Sequence, residues 1–158
     1  MYIDESALSR VKQAIAAFGD LEIIEFDADT STAELAARAL GVEAGQIAKS
    51  LCFVGDGEPF LVIAAGDRKI DTRKLSRQLG KKKVKFADAF TVADATGFSP
   101  GGVCPFALKT PLAVYLDESL FQHAVVYAAA GTANTALPVA PGRLRDITGA
   151  GTVDAAYR

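Results

Sequence analysis

Residues 47–65 read IAKSLCFVGDGEPFLVIAA. Two apolar runs, 47–54 and 59–65, flank Gly55-Asp56-Gly57, a turn sequence, so this stretch predicts a β-hairpin. Side chains alternate along an extended chain. Ile47, Lys49, Leu51 and Phe53 therefore share one face, and Ala48, Ser50, Cys52 and Val54 share the other. The lysine falls on the bulkier, more apolar side. Burying an unpartnered ammonium costs several kcal/mol, so either this face opens onto a pocket or Lys49 meets something negative or polar.

The flanking sequence supplies more strands and several helices. Upstream, Ala7, Leu8, Val11, Ala14, Ile15 and Phe18 recur at helical spacing, and Gly19 stands where that helix would end. Residues 21–26 predict a strand. Ser31-Thr32-Ala33-Glu34 reads as a capping box opening a helix over 32–40, closed by Gly41. Downstream, Asp71 caps a helix that carries Leu75 and Leu79 to Gly80, and Thr91 with Asp94 caps a shorter one stopping at Gly97. Strands follow at 112–116, 125–129 and near 135–140, with a helical turn at 118–123, and Pro141 begins a last short helix. Strands and helices mix without regular βαβ alternation. The expected fold is α+β, a mixed and strongly curved, barrel-like sheet with surrounding helices. The sequence has no repeat, linker or low-complexity segment, which predicts a single domain over residues 1–158.

Half of the 158 residues are apolar, enough for one core. The longest apolar stretches, 60–65 and 124–130, fall far short of the roughly 20 residues that span a bilayer, and Asp4 and Glu5 stand where a signal peptide would be basic. A soluble, cytoplasmic protein is expected. Cys52 and Cys104 lack CxxC spacing and are expected as free thiols. The net charge of −2 hides an asymmetry: residues 68–85 hold nine of the 17 basic residues (Arg68, Lys69, Arg73, Lys74, Arg77, Lys81, Lys82, Lys83 and Lys85) and one acid, Asp71. Such a cluster is either the footprint of a phosphate-bearing partner or a solvated helix face followed by a polar turn.

Counting removes several chemistries. His123 is the single histidine and has no Cys/His/Asp cluster around it, so no metal site is expected, and a Ser-His-Asp or Cys-His arrangement would depend on that one residue. Neither a Walker-type loop nor GxGxxG is present. No cofactor is expected. What remains is lysine and main chain, in two glycine-containing loops: TGFSPGGVCPF at 96–106 and AAAGTANTAL at 128–137. Gly101 and Gly102 have no side chain to block a ligand, and Pro100 and Pro105 stiffen the flanks. This suits an oxyanion hole, or equally a tight turn. Thr132 and Asn134 either bind a small polar group or cap a turn.

In this order, IAKSLCF, FLVIAAGDRKID, TGFSPGGVCPF and AAAGTANTAL resemble the YbaK/ProX family of freestanding aminoacyl-tRNA deacylases, similar to the editing insertion domain of bacterial prolyl-tRNA synthetase. The likeness runs over roughly residues 21–147. It implies that Lys49 is the lysine these deacylases require, with Ser50 keeping the small hydroxyl residue after it. Gly101-Gly102-Val103-Cys104-Pro105 matches the GxxxP loop lining the aminoacyl-ester pocket. Ala130-Gly131-Thr132-Ala133-Asn134 occupies the last pocket loop, where several relatives carry a histidine, and Phe26 takes a pocket-lining position. Lys49, Gly101 and Gly102 are thus the implied catalytic groups, and Phe26, Ser50, Val103, Cys104, Pro105, Ala130, Gly131, Thr132 and Asn134 the implied substrate contacts. Arg68, Lys69, Arg73, Lys74, Arg77, Lys81, Lys82 and Lys83 are the implied tRNA contacts. The implied partner is aminoacyl-tRNA, with an aminoacyl-tRNA synthetase as a second. Lys49 acts either as a fixed positive charge or as a general base of lowered pKa, the first being favoured because no basic neighbour in its strand would depress it. A non-catalytic module that binds an amino acid or the tRNA end is the competing reading.

Overall fold

The structure is a computed structural model that describes residues 4–158. Helix α1 (Glu5–Ile15) is capped by Asp4, whose carboxylate accepts from the amides of Ser6 and Ala7, and it buries Ala7, Leu8, Val11 and Ile15. It ends before Phe18, which packs on the core from beyond the helix. Strand β1 (Ile24–Glu25) is shorter than the run 21–26 suggests. Helix α2 (Ala33–Leu40) is capped by Thr32, whose hydroxyl accepts from Leu35 N, so the cap lies one residue later than the Ser31 expected.

Strands β2 (Ile47–Gly55) and β3 (Glu58–Ala65) form the hairpin, with Ala48 opposite Ala65 and Gly55 opposite Glu58. Asp56 and Gly57 both take positive φ, 52° and 77°, the geometry of a tight two-residue turn. Helix α3 (Thr72–Leu79) starts on the Asp71 cap and ends at Gly80, φ 64°. Then come β4 (Lys85–Phe86) and helix α4 (Ala89–Thr96). Asp88 caps α4 and accepts from Thr91 N, displacing Thr91 from the capping role expected of it. The rest of the chain forms β5 (Val114–Asp117), a 3₁₀ turn (Glu118–Gln122), β6 (Val126–Ala128), β7 (Thr135–Val139), α5 (Pro141–Thr148) and β8 (Gly151–Val153).

The strands make one mixed sheet in the order β1-β7-β6-β2-β3-β5-β8, with β4 also on β2. Pairs β2/β6, β3/β5 and β5/β8 are parallel, and the others antiparallel. This is the α+β mixed sheet that the sequence predicts. Its two faces sort the hairpin side chains by parity: Ala48, Cys52, Leu61 and Ile63 join Val11, Phe98 and Leu137 in the larger core, whereas Phe53, Phe60 and Val62 join Leu75 and Val153. On the edge away from β3, β6 pairs with β2 at Ile47 and Ala48, and β4 at Phe53 and Val54. Residues 49–52 have no strand beside them there. Among the described residues no helix is long and apolar enough to cross a membrane.

Candidate functional site

A cavity of about 500 Å³ sits at this break in the sheet. Its floor is β2 from Ile47 to Cys52. Its walls come from the segment before α2 (Thr30, Ser31, Thr32), the stretch between β4 and α4 (Phe86, Ala87, Ala89), the loop Pro100, Gly101 and Val103, and the paired strands β6 and β7 through Ala128, Ala129 and Thr135. Most of these side chains are small.

Lys49 and Ser50 both reach the cavity, although their side chains leave opposite faces of the strand, because the break exposes the strand edge between the two faces. Lys49 Nζ donates to the carbonyl of Arg68 at 2.5 Å. Partial burial pulls its pKa below the usual lysine value, the negative charge of Asp67 pulls it back up, and the positive charge of Lys69 adds to the lowering. The depression expected to be missing is therefore present. It comes from desolvation and a neighbour across the hairpin end, not from the strand itself. Ser50 Oγ is shielded from solvent and, among the described residues, has no hydrogen-bond partner.

The glycine-proline loop follows α4. Arg10 fixes its base, its guanidinium donating to the carbonyls of Thr96, Gly97 and Ala107 and lying 4.7 Å from the Phe98 ring centre. Gly101 (φ 87°) packs against Ser31, where an added Cβ would come within 2.7 Å of the serine Cβ. Gly102 abuts the second glycine loop: a Cβ there would lie 2.7 Å from the Gly131 carbonyl oxygen. The two loops thus touch, and Ala128, Ala129 and Thr135 from the ends of the second line the Lys49 cavity with the first, but the glycines divide between two chambers. Gly101 and Val103 face the Lys49 cavity, whereas Gly102, Gly131 and Thr132 line a separate small crevice with Asp4 and Ser99.

Several residues expected at the pocket lie elsewhere. Cys104, Pro105 and Ala130 are buried, and Cys104 Sγ donates to Phe106 O within the core, where burial pushes its thiol to about 12. Thr132 donates to Asn134 Oδ1 at 2.7 Å, and Asn134 Nδ2 donates to Phe26 O at 3.1 Å. These groups tie the last loop to the chain at Phe26, the turn-capping reading, and neither Asn134 nor the Phe26 ring lines the cavity. Cys52 does line it, with its thiol pKa raised by burial, so it is protonated at neutral pH.

The basic strip runs along α3 and the loop behind it. Lys74 donates to Ala156 O and Lys81 lies 5.5 Å from the Phe60 ring centre, so both serve the fold. Arg68 keeps a loose 3.9 Å contact to Asp67. Lys69, Arg73, Arg77, Lys82 and Lys83 are exposed and, among the described residues, free of ion pairs. Both ends of the strip adjoin the cavity: the Arg68 carbonyl holds Lys49, and Lys85 precedes the lining residue Phe86. Phe86, which lines the cavity and packs on the Phe53 ring at 4.6 Å, is 58% exposed, and Phe90, next to the lining residue Ala89, is 79% exposed. Sequence reasoning passed over them, though aromatic residues directly after a lysine run were the available signal. The small residues 128–130 hint at room there, and Ala128 and Ala129 line the cavity while Ala130 is buried; nothing local in the sequence marks Thr135.

A sheet broken beside a half-buried lysine, with a glycine loop facing the break, defines an α+β protein with a cavity at the gap in its sheet. The chain belongs to the aminoacyl-tRNA editing domain family, whose profile matches residues 27–147. It is 41% identical over 128 residues to the uncharacterized protein YwhH of Bacillus subtilis (80% of this chain, 81% of that one). It is 28% identical over 144 residues to EbsC of Enterococcus faecalis, provisionally named a Cys-tRNA(Pro)/Cys-tRNA(Cys) deacylase (90% and 87%). A crystal structure described provisionally as a trans-editing enzyme for prolyl tRNA synthetase superposes with a TM-score of 0.90 at 38% identity, covering 98% of this chain and 99% of that one.

Proposed function

We propose that this protein hydrolyses, in trans, the ester that joins a small amino acid such as cysteine, alanine, serine or threonine to the 3′ end of a mischarged tRNA. The observation that carries the reading is Lys49 and Gly101 lining one cavity of about 500 Å³, a size suited to a small ligand. Water adds to the acyl carbon, a C–O bond forms, the ester C–O bond breaks, and the proton ends on the ribose oxygen. Negative charge grows on the carbonyl oxygen during addition, and fixed positive charge and amide donors favour that state over the ground state. Lys49 is assigned the charge role. Its ammonium already donates to the Arg68 carbonyl and has two further N–H groups to offer, and Asp67 favours the protonated form. Gly101 lets the loop pack closely on Ser31, which brings its main chain to the cavity wall.

The tRNA acceptor end is assigned to the exposed lysines and arginines of the strip, with Phe86 and Phe90 as stacking surfaces for the unpaired terminal nucleotides. A synthetase is a further candidate partner. The test is a panel of tRNAs charged with radiolabelled amino acids, each incubated with the parent protein and with Lys49→Ala. The parent is expected to release one or a few small amino acids above the spontaneous rate, and Lys49→Ala to release none while melting as a folded protein. Release at the spontaneous rate across the whole panel would leave a module that binds without turnover. Normal release by Lys49→Ala would remove Lys49 from the chemistry.

A further inference from the structure

In an antiparallel pair, the N–H and C=O of one residue both face the partner strand and those of the next both face away. The Ile47 carbonyl accepts from Gly66 N at 2.8 Å, on the β3 side, and the Cys52 carbonyl accepts from Ala87 N at 3.0 Å, on the opposite edge. Odd-numbered residues of β2 therefore turn their peptide groups to β3, and even-numbered ones turn them away. On the outer edge β6 stops pairing at Ala48 and β4 starts at Phe53. The N–H and C=O of Ser50 and the N–H of Cys52 consequently reach the cavity with no sheet partner. Ser50 Oγ, shielded and without a hydrogen-bond partner among the described residues, stands with them. Buried polar groups are nearly always paired in proteins. Three peptide groups without a strand partner, beside one shielded and unpartnered hydroxyl, leave a strand edge open to a ligand.

We propose that this edge binds the main chain of the amino acid as a one-residue strand: the Ser50 carbonyl and hydroxyl accept from its α-ammonium, and the Ser50 or Cys52 N–H donates to its acyl oxygen. The inference rests on the reading of the site as one for aminoacyl esters. It adds that the free α-amino group is the feature recognised, so that ligands blocked at that nitrogen are rejected while the rest of the cavity deals with side-chain size.

The probe is alanine joined through an amide to 3′-amino-3′-deoxyadenosine, which resists hydrolysis, together with its N-acetyl form. Calorimetric titration is expected to give affinity weaker by about tenfold or more for the acetylated probe, because acetylation leaves a buried acceptor unpaired. Ser50→Ala is expected to weaken the free-amine probe several-fold and the acetylated one hardly at all. Amide hydrogen exchange gives a readout that needs no turnover: Ser50 N–H should exchange quickly in the free protein and slow by about tenfold or more with the probe bound, while Lys49 and Leu51, paired to β3, stay slow throughout. Equal affinity for the two probes, no binding of either, or a Ser50 amide as protected as Leu51 in the free protein would overturn the proposal. Free-amine preference without release from charged tRNA would remove the hydrolase reading and leave this one; release that ignores N-acetylation of charged tRNA would do the reverse.

Discussion

Replacing Gly102 with alanine tests whether contact between the two glycine loops holds the cavity wall in place. A Cβ at Gly102 would lie 2.7 Å from the Gly131 oxygen, 2.8 Å from its carbonyl carbon and 2.9 Å from Thr132 Cα. All three are backbone atoms, so no side-chain rotation relieves the clash, and the loops must part by about half an ångström or more. Overpacking of this kind costs about 1–3 kcal/mol. For a chain of this length each kcal/mol lowers the melting temperature by about 2–4 °C, so Gly102→Ala should melt about 4–8 °C below the parent near the middle of that range. Gly142→Ala is the matched control. Gly142 lies in α5 with nothing within 4 Å of the added carbon, and alanine there should hold or raise stability by about 0.5–1 kcal/mol. Thermal unfolding followed by circular dichroism, both variants beside the parent, measures the difference. Gly101 is the cavity-facing neighbour in the same loop, so release from charged tRNA should also fall by about tenfold or more. A Gly102→Ala protein that melts within 1 °C of the parent would refute the loop contact and the positioning argument built on it.

Ser50→Ala removes a shielded hydroxyl with no hydrogen-bond partner among the described residues, so its melting temperature should equal or slightly exceed the parent's while release from charged tRNA drops; a fall of more than about 4 °C would assign Ser50 a structural duty instead. Lys49 has a native pKa below its unfolded value, so between the two the unfolded chain holds more protons, and this site's contribution to stability rises with pH across that window. If the ammonium carries the work, kcat/KM corrected for spontaneous hydrolysis falls as pH rises through that lowered pKa, and a rise there would make Lys49 a base. Phe90→Ala, at a ring 79% exposed, should leave the melting temperature unchanged and raise KM for charged tRNA several-fold, whereas an unchanged KM would exclude Phe90 from the nucleic-acid surface.

What was legible in the sequence was what short-range rules control. Asp56-Gly57 specifies the hairpin because both residues tolerate positive φ, and the helix ends at Gly41, Gly80 and Gly97 follow from the same property, each closing a helix at φ between 64° and 77°. Strands β4 and β8 were missed because two or three residues carry no usable alternation, and long-range pairing rather than local pattern makes them strands. The site divides in the same way. Lys49 stood out as a charge in an apolar run, and Gly101 as a bare position between prolines. Cys104 sits next to Gly101 and Val103 in sequence, yet its side chain turns into the core, a difference of direction that loop composition does not encode.

The break in the sheet was the least legible feature, because no residue of β2 creates it. It arises where two neighbours from distant parts of the chain stop: β6, which arrives parallel after the crossover through β5, and β4, which arrives antiparallel after α3. Had β6 run two residues further along β2, or β4 three, the peptide groups of Ser50 would have been paired and the cavity filled. The β4 side is held back by Asp88, which follows Ala87 and caps α4, its carboxylate accepting from Thr91 N as the chain turns from strand into helix. The β6 side is held back by Thr135, whose hydroxyl accepts from Ala130 N and turns the chain after Ala128 into the glycine loop. Two side-chain hydrogen bonds at the ends of the gap thus keep a strand edge open.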